Sequence, residues 1–299
     1  MPVQQRPMLA LLLRLCAMLV LSSMLLLVKL SGERGIWLPE MLFWRQLIPG
    51  VMILLWLGAR GGLSRLRTQR PWIHARRALI GGTGMFLTLG VVQILPLAEA
   101  TVLGFTAPIF AVVLSALLLS ERVGVWRWSA VVLGLIGIVI IAGPDRAQLS
   151  PVGLGTGIGA AFMVALISIQ LRDLGRTEEP ITIVFWFSAF CAPVLAPFVI
   201  WTGAHHDALG WAMIAGVGVA GLFAQLLMTA ALRYGDVASV IVMDYSQLIW
   251  ATLWGWLVFA ALPSPTTWLG APAVIAAGLI IAWREHRLSL QRLSTPVHS

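Results

Sequence analysis

Residues 95–144 and 235–283 carry the same device twice. Offset by 140 residues, Ala98 falls on Ala238, Phe105 on Tyr245, Thr106 on Ser246 and Trp128 on Trp268. Each copy is a pair of apolar stretches of bilayer length with a short polar break between them. A repeat of this kind constrains the fold more than any single motif, because equivalent segments must find equivalent surroundings. Internal repeats in membrane chains are the usual build of secondary transporters, whose substrate site lies between the halves. The repeat therefore predicts a carrier.

The solvent of this chain is lipid. Apolar residues make up 59% of it, charged residues 11%, and the mean hydropathy is +0.92. A soluble domain carries about 25% charged residues. A spanning helix needs about 20 apolar residues, and ten such spans nearly fill the 299 residues. The predicted spans are 8–28, 39–57, 77–95, 100–119, 125–142, 152–171, 182–201, 209–232, 237–261 and 266–283. The fold class is thus all-α membrane protein with ten transmembrane helices.

Positive charge orients it. If the loop holding Arg60, Arg65, Arg67, Arg70, Arg76 and Arg77 is cytoplasmic, so are Arg6, Arg122, Arg127, Arg172, Arg176, Arg233, Arg284, Arg287 and Arg292. Only Lys29, Arg34 and Arg146 fall on the other side, 15 cations against 3, with Arg14 and Arg45 inside spans. The positive-inside rule then places both termini in the cytoplasm. The net charge of +8 is this asymmetry. No soluble basic face exists for nucleic acid, so none is expected as a partner. Arg14 interrupts the first apolar run and no small-residue cleavage site follows it, which argues against a removed signal peptide. Cys16 and Cys191 sit inside apolar spans and imply neither a disulfide framework nor a metal site. No cofactor is expected.

Spans four and five match spans nine and ten, so the repeat unit is five helices. A tandem repeat of an odd number of spans is necessarily inverted. Met41 to Arg45 in span two aligns with Ile183 to Phe187 in span seven and supports the pairing. The halves are 8–144 and 151–283, joined by a short segment with Gly143, Pro144 and Pro151 that suits a hinge, and residues 284–299 form a cytoplasmic tail. Small residues let helices approach and slide. They crowd span three at Gly81, Gly82 and Gly84, span six at Gly153, Gly155, Gly157 and Gly159, and span eight at Gly216, Gly218 and Gly221.

An ordered set of motifs carries a family resemblance. The run Leu95 to Ala100, then Phe105-Thr106-Ala107-Pro108, then Leu119 to Arg122, closes on Gly134, Gly137 and Gly143-Pro144. Pro39 with Trp44-Arg45 stands in span two. The second half has Tyr245-Ser246-Gln247, Trp254-Gly255-Trp256 and Trp268 to Ala271. This set resembles the EamA domain of the drug/metabolite transporter superfamily over nearly the whole chain. The resemblance implies two inverted EamA repeats and metabolite transport across a bacterial inner membrane. The wording of the first repeat is most similar to a subgroup with riboflavin importers and S-adenosylmethionine carriers; amino-acid and drug exporters share the fold. The chain departs from the pattern where Glu121-Arg122 of the first repeat faces Ala261-Leu262-Pro263 of the second.

Ionisable residues inside spans are costly and mark function by default. Arg45 is the leading candidate, because a guanidinium grips a carboxylate or phosphate with two hydrogen bonds; the alternative is an ion pair with Glu40 or Asp244. Asp244 is a candidate for proton coupling, for pairing with Arg45 or for a cationic substrate. Glu40 and Glu99 stand at external helix starts, with Glu40 a second candidate for proton coupling and both candidates for lining the way in. Gln93, Gln170, Gln225 and Gln247 either join helices or bind substrate, with Thr229 one turn from Gln225. The repeat-equivalent aromatics Phe105 and Tyr245, and likewise Trp44 and Trp186, offer flanks for a planar substrate. Thr101, Phe105 and Pro108 share a face of span four, and Pro108 is placed to kink it and free a carbonyl for a cavity. Most other tryptophans, such as Trp72 and Trp201, suit the interfacial belt.

Other classes fare worse. The sequence lacks a paired-acid protease motif, a zinc His-Glu-x-x-His and clustered aspartates, so an enzyme is not expected. His205, His206 and Asp207 read as a solvated external loop rather than a metal site. The partners expected are a small-molecule substrate and the bilayer, with the chain a monomer or a homodimer.

Overall fold

The computed structural model describes residues 6–118, 124–142, 150–174, 177–202, 205–234 and 242–294. Regular structure among them is helical throughout. The long elements of the first half are α1 (Pro7–Glu33), α2 (Leu38–Ala59), α3 (Pro71–Ile94), α4 (Leu97–Gly104), α5 (Ala107–Leu118) and α6 (Val125–Ala142). The second half has α7 (Pro151–Leu174), α8 (Pro180–Thr202), α9 (Ala208–Tyr234), α10 (Gln247–Phe259) and α11 (Pro265–Ser294). Short 3-10 turns cover Leu63–Leu66 and Met243–Ser246. Proline opens α1, α3, α7, α8 and α11, where its missing N–H costs nothing. The last helix runs on into the expected tail.

Nine stretches among the described residues are long and apolar enough to cross a membrane, α4 and α5 counting together as one. The tenth expected span, 237–261, starts in a segment outside the described residues, and α10 alone has only 13 residues. Outward faces carry bare apolar side chains such as Leu55, Val139 and Ile200. Trp72 and Trp201 are also strongly exposed. Surfaces of this kind match a lipid contact.

Packing obeys the repeat. The main contacts join α1 to α9, α3 to α7, α2 to α8, α6 to α11 and α4 to α10. Exchanging the halves turns the α1–α9 pair into the α7–α3 pair and returns the other three pairs to themselves. Each main contact therefore ties one repeat to the other, and an axis runs through the α2–α8, α4–α10 and α6–α11 crossings. At the last of these the backbones nearly touch: a Cβ on Gly270 would stand 2.6 Å from the Gly137 carbonyl oxygen. Only glycine admits that approach.

Both central spans are broken at the same place. Span four splits after Gly104, where Pro108 leaves the Gly104 carbonyl without its helical N–H donor. The second repeat has the Met243–Ser246 turn there. The repeat-equivalent hydroxyls do the same job: Thr106 Oγ1 donates to the Leu103 carbonyl at 2.6 Å, and Ser246 Oγ to the Met243 carbonyl at 2.6 Å. Span 100–119 reads in the sequence as one helix with Pro108 placed to kink it, and the structure divides it into α4 and α5 at that point. Irregular backbone at membrane depth persists only where it lines a cavity or is buried in protein. Ala238, Glu121, Arg122, Gly143, Pro144 and the Thr229 side chain lie outside the described residues.

Candidate functional site

A cavity of about 580 Å³ lies between the halves at the two breaks. Its size falls within the range of about 300–1,000 Å³ usual for small-molecule sites. Gly104, Phe105 and Pro108 line it from the first break, Asp244, Tyr245 and Gln247 from the second. The rings of Phe105 and Tyr245 meet edge to face with centroids 4.9 Å apart, so the repeat-equivalent aromatics close on one another at the axis. The phenol oxygen of Tyr245 reaches Gly278 of α11, where a Cβ would collide with it.

Six of the nine candidate substrate residues line the cavity: Arg45, Thr101, Phe105, Gln225, Asp244 and Tyr245. The Thr101 hydroxyl donates to the Leu97 carbonyl of its own helix. Asp244 does not pair with Arg45. Both its oxygens are held by Arg14 of α1, with Nη2 to Oδ2 at 2.6 Å. Arg14 is buried, and a third contact runs from its Nη1 to the Met228 carbonyl at 3.4 Å. Arg45 therefore has no carboxylate partner among the described residues: Nη1 meets the Met85 sulfur, and Nε is buried without a hydrogen-bond partner.

Three candidates stand elsewhere. Trp44 packs edge to face on Trp211, ring centroids 5.5 Å apart, behind α2. Trp186 donates its Nε1 hydrogen to the Leu66 carbonyl at 2.9 Å and fastens the Leu63–Leu66 turn. Gln93 lies in a separate pocket with Gly32, Ile36 and Trp37. Repeat equivalence put the two tryptophans on the axis, but Trp44 packs on Trp211 of α9 and Trp186 on His74 of α3, away from the cavity lining. Gln170 is buried, with Oε1 unpartnered.

Glu40 and Glu99 act at the arginine-poor end, outside the cavity lining. Glu40 is buried with Oε1 2.9 Å from His206 Nε2, and not beside Arg45. The His205–Asp207 loop is correspondingly docked rather than free: Asp207 accepts from Arg34 at 2.8 Å and caps the Gly210 N–H at 2.8 Å. Glu99 accepts from the Ser264 N–H at 2.9 Å, which ties the start of α4 to the start of α11. Lys29 donates to the Val92 and Leu95 carbonyls at 3.1 and 2.9 Å.

Polar cavity residues that the sequence reading did not single out include Gln46, Thr88 and Arg77. Arg77 counted there as a border cation, because span three was started at it. Pro71 starts α3 earlier, which carries Arg77 almost two turns into the helix and into the cavity wall. The available signal was Pro71-Trp72, a proline at the first helical position. The Arg77 guanidinium stands 4.4 Å from the Phe187 ring centroid. Gly81 makes the room, since any Cβ there would strike Arg77 Nη1. Phe187 is the repeat counterpart of Arg45. A metal site has no support among the described residues, where no group of three His, Cys, Asp or Glu gathers.

Comparison with known proteins agrees with this architecture. The sequence profile described as "EamA-like transporter family" matches residues 8–143 and again residues 151–283. The riboflavin transporter of Vibrio cholerae serotype O1 is 31% identical over 251 residues, covering 81% of this chain and 82% of that protein. The S-adenosylmethionine uptake transporter of Rickettsia prowazekii is 25% identical, covering 83% and 84%. The pseudopaline exporter of Pseudomonas aeruginosa is 26% identical, covering 91% and 95%. A solved crystal structure superposes with a TM-score of 0.61 at 24% identity over 96% of this chain and 99% of that one, a likeness of fold alone.

Proposed function

The chain belongs to the EamA-like transporter family, and on that premise we propose that it is a secondary carrier moving a small polar or planar metabolite across a bacterial inner membrane by alternating access. The observation that carries the reading is the cavity at the crossing of two broken, repeat-equivalent spans. Broken spans with freed backbone at the repeat interface are how such carriers build a midplane site. The Phe105–Tyr245 dyad gives that site a ring-binding wall, and Arg45, Gln225 and Asp244 give it polar ones. Relatives named as a riboflavin transporter and an S-adenosylmethionine uptake transporter support a planar cargo. The cavity is complete within one chain, which supports a monomeric working unit. The charge bias supports cytoplasmic termini.

Export is the second reading, favoured by the relative named as a pseudopaline exporter. Proteoliposome counterflow tests both. Liposomes preloaded with riboflavin, S-adenosylmethionine or an amino-acid mixture are expected to accumulate labelled cargo of the same kind. A pH gradient of either sign then gives direction and coupling. No counterflow above empty liposomes for any of them would remove the support that the relatives' cargoes lend.

A further inference from the structure

Two guanidinium groups line the cavity with no carboxylate to answer them among the described residues. Asp244 is the one acidic residue among the described lining residues, and Arg14 occupies both of its oxygens. That leaves Arg45 and Arg77 in excess. Arg77 is nine-tenths buried, with Nε and Nη1 shielded from solvent and without hydrogen-bond partners. Arg45 has its Nε in the same condition and only a thioether, a weak acceptor, at Nη1. Neither makes an ion pair among the described residues. Unpaired cations at membrane depth cost several kcal/mol each. Their cost falls when an anion enters the cavity that both line.

The geometry points to an anion subsite formed by Arg45 and Arg77, so that the cargo is an oxyanion carrying a ring. Arg45 approaches from α2 and Arg77 from α3. The Arg77 guanidinium lies against the Phe187 ring in a cation–π contact. A forked guanidinium matches both carboxylate and phosphate. Two uncompensated cations suit a phosphate monoester, which carries about −1.5 to −2 charges at neutral pH. The Phe105–Tyr245 dyad, on the same cavity, receives the ring. The asymmetry of the repeats acquires a use here: where the first half has Arg45, the second has Phe187, the platform of the other arginine. This inference rests on the carrier reading and narrows it.

The test uses matched probes that differ only in charge: naphthyl phosphate against naphthol, and naphthoate against naphthamide. Binding to the purified chain in detergent is read by tryptophan quenching. The anion of at least one pair is expected to bind tighter by on the order of 10- to 100-fold, the range for charge-assisted hydrogen bonds. The favoured pair tells phosphate from carboxylate. Arg77→Gln and Arg45→Gln should each reduce the preference about tenfold, while Arg77→Lys should keep much of it, all three variants melting as cooperatively as the parent. Equal affinity within both pairs, or no saturable binding of either anion at millimolar concentration, overturns the subsite. Counterflow of a neutral cargo would then leave the carrier reading intact. Anion preference without any counterflow would do the reverse.

Discussion

Replacing Asp244 by Asn separates the two roles a carboxylate at the second break can have. In the structure it is an ion-pair partner, with both oxygens on Arg14 and side-chain exposures of 6% for Arg14 and 30% for Asp244. Stripping one partner from a fully buried pair costs about 3–5 kcal/mol. Asp244 keeps one side on the cavity, which brings the cost down. Interhelical hydrogen bonds in a membrane protein average about 0.6 kcal/mol and reach about 1.7. Two such bonds, plus a stranded guanidinium left with the Met228 carbonyl at 3.4 Å, place the loss for Asp244→Asn at about 2–3 kcal/mol. In a cycle with Arg14→Met the coupling energy should be about 1–2 kcal/mol. The assay is equilibrium unfolding in mixed micelles, followed by tryptophan fluorescence on all four variants. In parallel, the stimulation of uptake by a pH gradient should be unchanged relative to basal counterflow. An Asn variant within about 0.5 kcal/mol of the parent, the spread of an ordinary surface change, would refute the ion-pair reasoning. Loss of pH stimulation at unchanged stability would make Asp244 the coupling carboxylate instead.

The backbone approach of α6 and α11 predicts that Gly270→Val, which meets the Gly137 carbonyl as well as the Ile141 side chain, destabilises by about 3 kcal/mol. Gly155→Ala, with nothing within 4 Å, should stay within about 1 kcal/mol of the parent in the same unfolding assay. His206→Ala leaves the Glu40 carboxylate buried with neither oxygen partnered and should cost about 1–3 kcal/mol. Adding Glu40→Leu should recover most of that loss, and melting temperatures that fail to recover would show that His206 acts through Trp211, which its ring also touches.

The architecture was legible because it follows from two coarse signals. Hydropathy sets the spans, and the repeat sets their pairing and orientation. The break in span four was also readable, since Pro108 must free the Gly104 carbonyl. Phe105 and Tyr245 were found by repeat equivalence, because they sit on the axis itself. The same logic misplaced Trp44 and Trp186. They are equivalent to each other, but α2 and α8 present other faces to the cavity, and hydropathy without a clear amphipathic stripe does not say which. The partners of Asp244 and Glu40 were hidden for a related reason. Arg14 is 230 positions from Asp244, and His206 is 166 from Glu40. Charge alone offered Arg45 to both. Choosing among cations at membrane depth requires the rotation of each helix about its axis. Arg77 was lost to a boundary error of six residues, enough to turn a cavity cation into a border one.

The halves also share a chemistry at their ends that no alignment of the motifs reveals. At the arginine-poor end, Glu40 in the first turn of α2 meets His206, just before α9, at 2.9 Å. At the arginine-rich end, Glu178, just before α8, lies 3.7 Å from His74 in the first turn of α3. Exchanging the repeats maps α2 on α8 and α3 on α9, so the two contacts are counterparts: a buried carboxylate by one element, a buried imidazole by the other, each bridging the halves. They are not equally made. A separation of 3.7 Å is too long for a hydrogen bond, and Glu178 instead accepts from Thr68 at 2.6 Å. Exposed pairs such as Arg65–Glu179 at the same end add little, because surface ion pairs are worth about 0–1 kcal/mol. The carboxylate–imidazole contact is therefore made at the arginine-poor end, with Glu99–Ser264 beside it, and open at the arginine-rich end, where Thr182 and Trp186 donate to the Arg65 and Leu66 carbonyls. If access alternates by exchange of equivalent conformations, His206–Glu40 must lengthen as His74–Glu178 shortens. Distances between spin labels placed across each end should then change in opposite senses when cargo is added. Labels that move together, or not at all, would exclude the exchange.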